Sequence, residues 1–139
     1  MRTISQLIDV HGVEIDPHLD RQATVPVLDG LQFQGDVAVI PAALLAEAET
    51  VMAPVPAAGI PVVRGEVGGN THLLLADGPV FFGPPTTRSG PLALGTLSVP
   101  DGSTAFLAHP EHGYSGIGPG SYVLRRQREQ ADEIRLVQD

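Results

Sequence analysis

The chain contains no cysteine, so disulfide frameworks, thiolate metal sites and cysteine nucleophiles are excluded together. Lysine is also missing. All eight basic residues are arginine, which removes Schiff-base chemistry and the phosphate-loop lysine. Aromatic residues make up only 4% and charged residues 17%. With a net charge of -8, the surface repels a phosphate backbone except where arginines cluster, so general nucleic-acid binding is disfavoured. No stretch reaches the roughly 18 consecutive apolar residues of a membrane span. The first residues run quickly into Asp9, His11 and Glu14 without the apolar core of a signal peptide, and a cytoplasmic location is the default expectation.

What the chain does have is proline and glycine, 13 and 16 of them in 139 residues. That composition favours many short elements joined by tight turns, and the length suits one domain. Residues 1–24 read as an arm. It holds one short helix, with Thr3 as cap and Ile4, Leu7 and Ile8 at helical spacing, then a polar run through Asp16, Pro17, His18 and Asp20. The arm is expected to dock, either on its own domain or on a neighbouring subunit.

Residues 25–139 read as a β domain. Val25 to Leu28, Asp36 to Ile40, Ile60 to Val67, Thr71 to Ala76, Val80 to Phe82, Leu92 to Val99, Ser103 to Leu107 and Tyr122 to Gln127 have strand character. The turns are marked by Asp29-Gly30, Gly68-Gly69-Asn70, Asp77-Gly78, Asp101-Gly102 and Gly118-Pro119-Gly120, with Asp101-Gly102 as the clearest hairpin. Pro41 to Met52, rich in Ala and Leu, predicts a short helix. Gly83 to Gly90 predicts an exposed loop, and residues 128–137 a last helical turn or strand. The expected fold is therefore all-β, a small barrel or sandwich of about eight strands with one or two short helices.

Chemistry concentrates in two motifs. One is Gly65-Glu66-Val67-Gly68-Gly69-Asn70-Thr71-His72 and the other His109-Pro110-Glu111-His112. Strand alternation puts Ala105, Leu107 and His109 on one face, and Pro110 ends the strand so that the turn swings Glu111 or His112 back. If the strand from Thr71 is a neighbour, His72 adds a third nitrogen, with Glu111 or Glu66 as an oxygen ligand. A divalent transition metal such as zinc, iron, nickel or manganese accepts such a set. The competing reading is of surface histidines bonded to backbone carbonyls. His11 and His18, in the arm, are expected to be solvated.

A second cluster, Arg125, Arg126 and Arg128, is either an anion, nucleic-acid or partner contact or an ion-pair belt with Glu129, Asp132 and Glu133. No Gly-x-Ser-x-Gly elbow, phosphate loop or dinucleotide fingerprint occurs. Tyr114 and Tyr122 read as packing residues with satisfied hydroxyls. No residue is assigned as catalytic.

The two histidine motifs, followed by Gly118-Pro119-Gly120-Ser121-Tyr122 and Arg126-Gln127-Arg128-Glu129, together resemble a group of small bacterial and phage proteins. There the motifs read Gly-Glu-x-x-Gly-His-x-His, His-x-Glu-His, Pro-Pro-Gly-x-Tyr and Arg-Gln-Arg-Glu. The similarity runs from about Phe33 to Asp139 and leaves the arm outside. Its histidine pairs look like the metal ligands of cupin-type, jelly-roll barrels, which the resemblance carries onto His72, His109 and His112. The chain departs at Asn70, where the group has its other histidine, and at Gly118, where it has proline.

Two functions follow as expectations. The first is a non-catalytic structural or interaction module that joins a protein assembly, phage-related or homo-oligomeric. The second is a cupin-like metal-binding protein or metalloenzyme using His72, His109 and His112.

Overall fold

A computed structural model describes residues 1–45, 51–64, 71–86 and 90–127. The helix α1, Ile4–His11, begins as its sequence requires. The Thr3 hydroxyl accepts the Gln6 backbone N–H, and the Gln6 side chain accepts the Thr3 N–H at 2.8 Å, closing a capping box. Gly12 ends the helix at φ 75°, a left-handed position that glycine takes without strain.

Eleven short strands follow: β1 (Val27–Leu28), β2 (Gln32–Gln34), β3 (Val37–Pro41), β4 (Ala53–Pro54), β5 (Ile60–Val63), β6 (His72–Asp77), β7 (Phe81–Gly83), β8 (Ala93–Val99), β9 (Thr104–His109), β10 (Gly113–Ile117) and β11 (Gly120–Arg126). They form two sheets, ordered β1-β10-β9-β6-β5 and β2-β3-β11-β8-β7-β4. All neighbours are antiparallel except β1 and β10. Each sheet has two edge strands, so among the described residues the architecture is an open sandwich and not a closed barrel.

Strand alternation sorts the side chains into two apolar layers. Between the sheets lie Val37, Val39, Leu97, Val99 and Leu124 from one side and Leu74, Ala105, Leu107 and Ile117 from the other. The opposite face of the five-stranded sheet presents Leu75, Phe106, Ala108 and Tyr114, and the arm covers it with Leu7 and Ile15, together with Val25 just beyond its end. The arm thus docks on its own domain. Fully burying one Leu such as Leu7 contributes on the order of 1.5–3 kcal/mol toward holding the arm in place.

Four expectations change. The helix at Pro41 to Met52 is reduced to a 3-10 turn at Ala42–Leu44, because β3 continues through Pro41 and Leu45 is already extended; residues 46–50 lie outside the described residues. Asp101-Gly102 does not close a hairpin. It carries the chain from β8 in one sheet to β9 in the other, as Asp77-Gly78 carries β6 to β7. Three strands carry no signal of their own: β4 and β2 are two and three residues long, and β10 is a Gly-rich run recruited by pairing with β9. His11 is half-buried rather than fully solvated: its ring sits 5.9 Å from Phe106 and burial lowers its pKa. His18 is exposed as expected. Residues 65–67, the end of the strand read from Ile60, lie outside the described residues, as does the tail beyond Gln127.

Candidate metal centre

The true hairpins meet at one end of the sandwich. The register that sets Leu73 opposite Ala108 continues to bring His72 beside His109. Both occupy the inner-face phase of their strands, with Leu74 on β6 and Ala105 and Leu107 on β9. His109 pairs with Gly113 across the β9–β10 hairpin, so Pro110-Glu111-His112 forms its tight turn and returns His112 toward the same end. From the second sheet, the β2–β3 hairpin, closed by the Gln34 and Val37 pair, lays Gly35 and Asp36 over the rings.

Ring centroids are 4.2 Å apart for His72 and His109, 4.6 Å for His109 and His112 and 6.0 Å for His72 and His112. One nitrogen from each lies within 4.8 Å of the others. His72 and His109 are buried and His112 is exposed, so the cluster has one solvent-facing member.

His72 is the most constrained of the three. It is 4% exposed, and neither ring nitrogen closes a hydrogen bond among the described residues. Burial holds its pKa down at about 4; His109 and His112 push the same way, while the Asp36 carboxylate and a weak approach to the Gln34 main chain, too poor to count as a formed hydrogen bond, oppose. The ring is neutral at pH 7 and offers a lone pair.

His109 is held differently. Its Nδ1 accepts the backbone N–H groups of Glu111 at 3.1 Å and His112 at 3.3 Å. In the neutral ring the proton therefore sits on Nε2.

Gly35 shapes the cavity. At φ +54° it occupies left-handed space, and a Cβ there would stand 2.7 Å from His112 Nε2 and 3.3 Å from His72 Nε2. Only a residue without a side chain leaves room between those nitrogens. Beside it, Gln34 is 4% exposed, and its Nε2 donates to the Leu107 carbonyl at 3.0 Å and to Ser115 Oγ at 2.9 Å. It ties the tip of β2 to the hairpin that carries the histidines.

The site so formed contains the three histidines read from the sequence but not Glu111 as an oxygen donor. Glu111 is exposed, stands outside the group of converging ligand atoms and reaches His109 through its main chain. Glu66, Asn70 and Arg128 lie outside the described residues. Arg125 and Arg126 are half-buried on β11, beside β3. Both tyrosines are packing residues, Tyr122 donating to the Gly118 carbonyl and Tyr114 to the Val13 carbonyl, each at 2.8 Å. Gln34, Gly35 and Asp36 were not read as site residues, although Gly-Asp ahead of an apolar strand is a hairpin signal.

The donor set fits a metal ion. Three imidazoles suit zinc, copper, nickel or iron, and such an ion would satisfy the lone-pair nitrogen of His72. Nitrogens sharing one tetrahedral ion at about 2.1 Å stand about 3.4 Å apart, so the rings would have to draw in.

Among the described residues no helix is long and apolar enough to cross a membrane. No curated protein and no solved structure shows a match to the chain. A family model described as "Domain of unknown function (DUF8820)" matches residues 33–127, leaving out the docked arm and β1 but containing most of β2, all of β3 to β11 and all three histidines, and the chain belongs to that family.

Proposed function

We propose that this protein binds a divalent transition-metal ion through His72, His109 and His112. The observation that carries the reading is His72: buried, neutral, without a hydrogen-bond partner among the described residues, and packed against two further imidazoles. A polar ring left in that condition costs about 1–3 kcal/mol, and an ion recovers the lone pair's share of that cost by binding it. The set contains no carboxylate, which disfavours calcium and magnesium and favours zinc or its neighbours.

Three protein nitrogens leave one coordination position for water or a small ligand, the arrangement of reactive rather than purely structural zinc sites. Exposed His112 gives that position a route to solvent. Imidazoles at one end of an inter-sheet core also support a cupin-like relationship as part of this proposal. The test is elemental analysis after equilibration with zinc and gel filtration. About one ion per chain is expected, lost in His72→Leu and His109→Ala; a zinc content no higher in the parent than in these variants would defeat the reading.

A second reading, an interaction module in a protein assembly, draws on another feature. Val27, Leu28, Leu31 and Phe33 are 43%, 47%, 51% and 55% exposed, and they lie on or between β1 and β2, consecutive edge strands of the two sheets. Exposed apolar residues on edge strands suit a partner surface. Sedimentation of the parent against Leu31→Ser/Phe33→Ser tests it, with a fall in mass expected and an unchanged monomer refuting it.

A further inference from the structure

The histidine hairpin is gripped from behind by the N-terminal arm. Asp16 N–H donates to the Pro110 carbonyl at 2.8 Å, and the Tyr114 hydroxyl donates to the Val13 carbonyl at 2.8 Å. At Gly113, where the hairpin turns back at φ +79°, the side chains of Ile4 and Leu19 close the space. The arm itself is stitched by Ile4 N–H to Ala23 O, Ser5 N–H to Arg21 O and Val25 N–H to Arg2 O. It is therefore a folded strap fastened to the turn that carries two of the three imidazoles.

That turn holds His109 in one tautomer. A neutral imidazole has one lone pair and one N–H. Its lone pair here is Nδ1, filled by the N–H groups of Glu111 and His112. Nε2 then carries the proton, and it cannot hold an ion unless the ring becomes an anion. Ligation through Nε2 moves the proton to Nδ1, where a metal-bound histidine ordinarily donates to a carbonyl, carboxylate or water. Nδ1–H would then face two N–H donors, so the Pro110-Glu111-His112 turn must rotate those amides away. The Pro110 carbonyl, which the arm holds, belongs to the same peptide plane as the Glu111 N–H and rotates with it.

We infer that the N-terminal arm is a negative regulator of the histidine site: the docked arm fixes the turn in the form that occupies His109 Nδ1, so metal binding and arm docking oppose each other. The inference rests on the metal-binding reading. It gives the arm, which lies outside the family match at 33–127, a role that the shared domain does not need. By thermodynamic linkage the coupling is reciprocal. Whatever factor the arm takes from metal affinity, the metal takes from arm docking, and typical couplings are about 5–150-fold.

The test uses the full chain, Zn2+ alone as probe, and two readouts. Amide hydrogen exchange at Asp16, Ile4 and Val25 is measured with and without saturating zinc, and zinc affinity is measured by competition with a chromophoric chelator. Tyr114→Phe removes one fastening and keeps the packed ring; Leu7→Ser loosens the arm more strongly by weakening its packing on Phe106, Ala108 and Tyr114, and leaves the Pro110-Glu111-His112 turn unaltered in sequence. Zinc should speed exchange at Asp16 by about 5-fold or more, and both variants should bind zinc more tightly than the parent, Leu7→Ser the more so. Zinc bound at one per chain with unchanged or slowed exchange at Asp16, and equal affinities in all three proteins, would overturn the inference while leaving the metal site standing. Absence of zinc binding in all three proteins would overturn both. Zinc taken up only by the loosened variants would be its strongest support.

Discussion

His72→Leu should make the metal-free protein more stable, and increasingly so as the solution is acidified. Leucine fills a similar volume and removes two buried nitrogens that lack hydrogen-bond partners among the described residues, worth about 1–3 kcal/mol at pH 7. The pH dependence follows from the burial that lowers the His72 pKa from 6.5 to about 4. Above pH 6.5 the ring is neutral folded or unfolded and contributes no slope. Between pH 6.5 and about 4 the unfolded chain takes up a proton that the folded one refuses, so the parent loses stability as pH falls. Across that interval, at about 1.4 kcal/mol per pH unit, the loss approaches roughly 3 kcal/mol. Urea unfolding of both proteins in a chelator, at several pH values from 7 to 4, reads the difference directly, since every other titrating group is shared. At pH 7, zinc at 1,000 times its dissociation constant should reverse the order, because it adds about 4.1 kcal/mol to the parent alone, more than the variant's gain. Parallel stability curves, or a variant weaker than the parent at pH 7 without metal, would refute the account of His72.

Gly35→Ala should lower zinc affinity by at least about tenfold, because its methyl would sit 2.7 Å from His112 Nε2 in space an ion at about 2.1 Å needs. Gly12→Ala is the control: it also sits at positive φ, with nothing within 4 Å, so it should cost about 1–2 kcal/mol of stability from backbone strain and leave affinity unchanged in the same titration. Gln34→Leu should destabilise by about 1–3 kcal/mol in denaturant unfolding, since the Leu107 carbonyl loses a buried partner. Thr3→Ala should cost about 1 kcal/mol through the lost helix cap, seen as faster amide exchange in residues 4–8.

The sequence by itself determined the elements whose causes are local. The capped helix at Thr3 needs only Thr and Gln three residues apart, and the longer strands follow from alternation that a pleated backbone imposes. The phase of Ala105, Leu107 and His109 likewise follows from the two-residue repeat, so the inward face of His109 was legible in the sequence, whereas the place of His72 beside it depends on β6 pairing with β9. Tertiary structure decided the rest. Asp101-Gly102 has hairpin chemistry, yet whether the next strand pairs with the last or crosses to the other sheet depends on which faces need burying, a property of both sheets together. β10 exists because β9 offers it a ladder, and its glycines give no local preference. Gly35 and Gln34 join the site across more than 70 residues of chain, and the tautomer of His109 is set by two amides that only the closed turn can aim at it. Local preference chooses each element's form, while pairing and burial, which act between distant segments, choose its neighbours, and this site is made of neighbours.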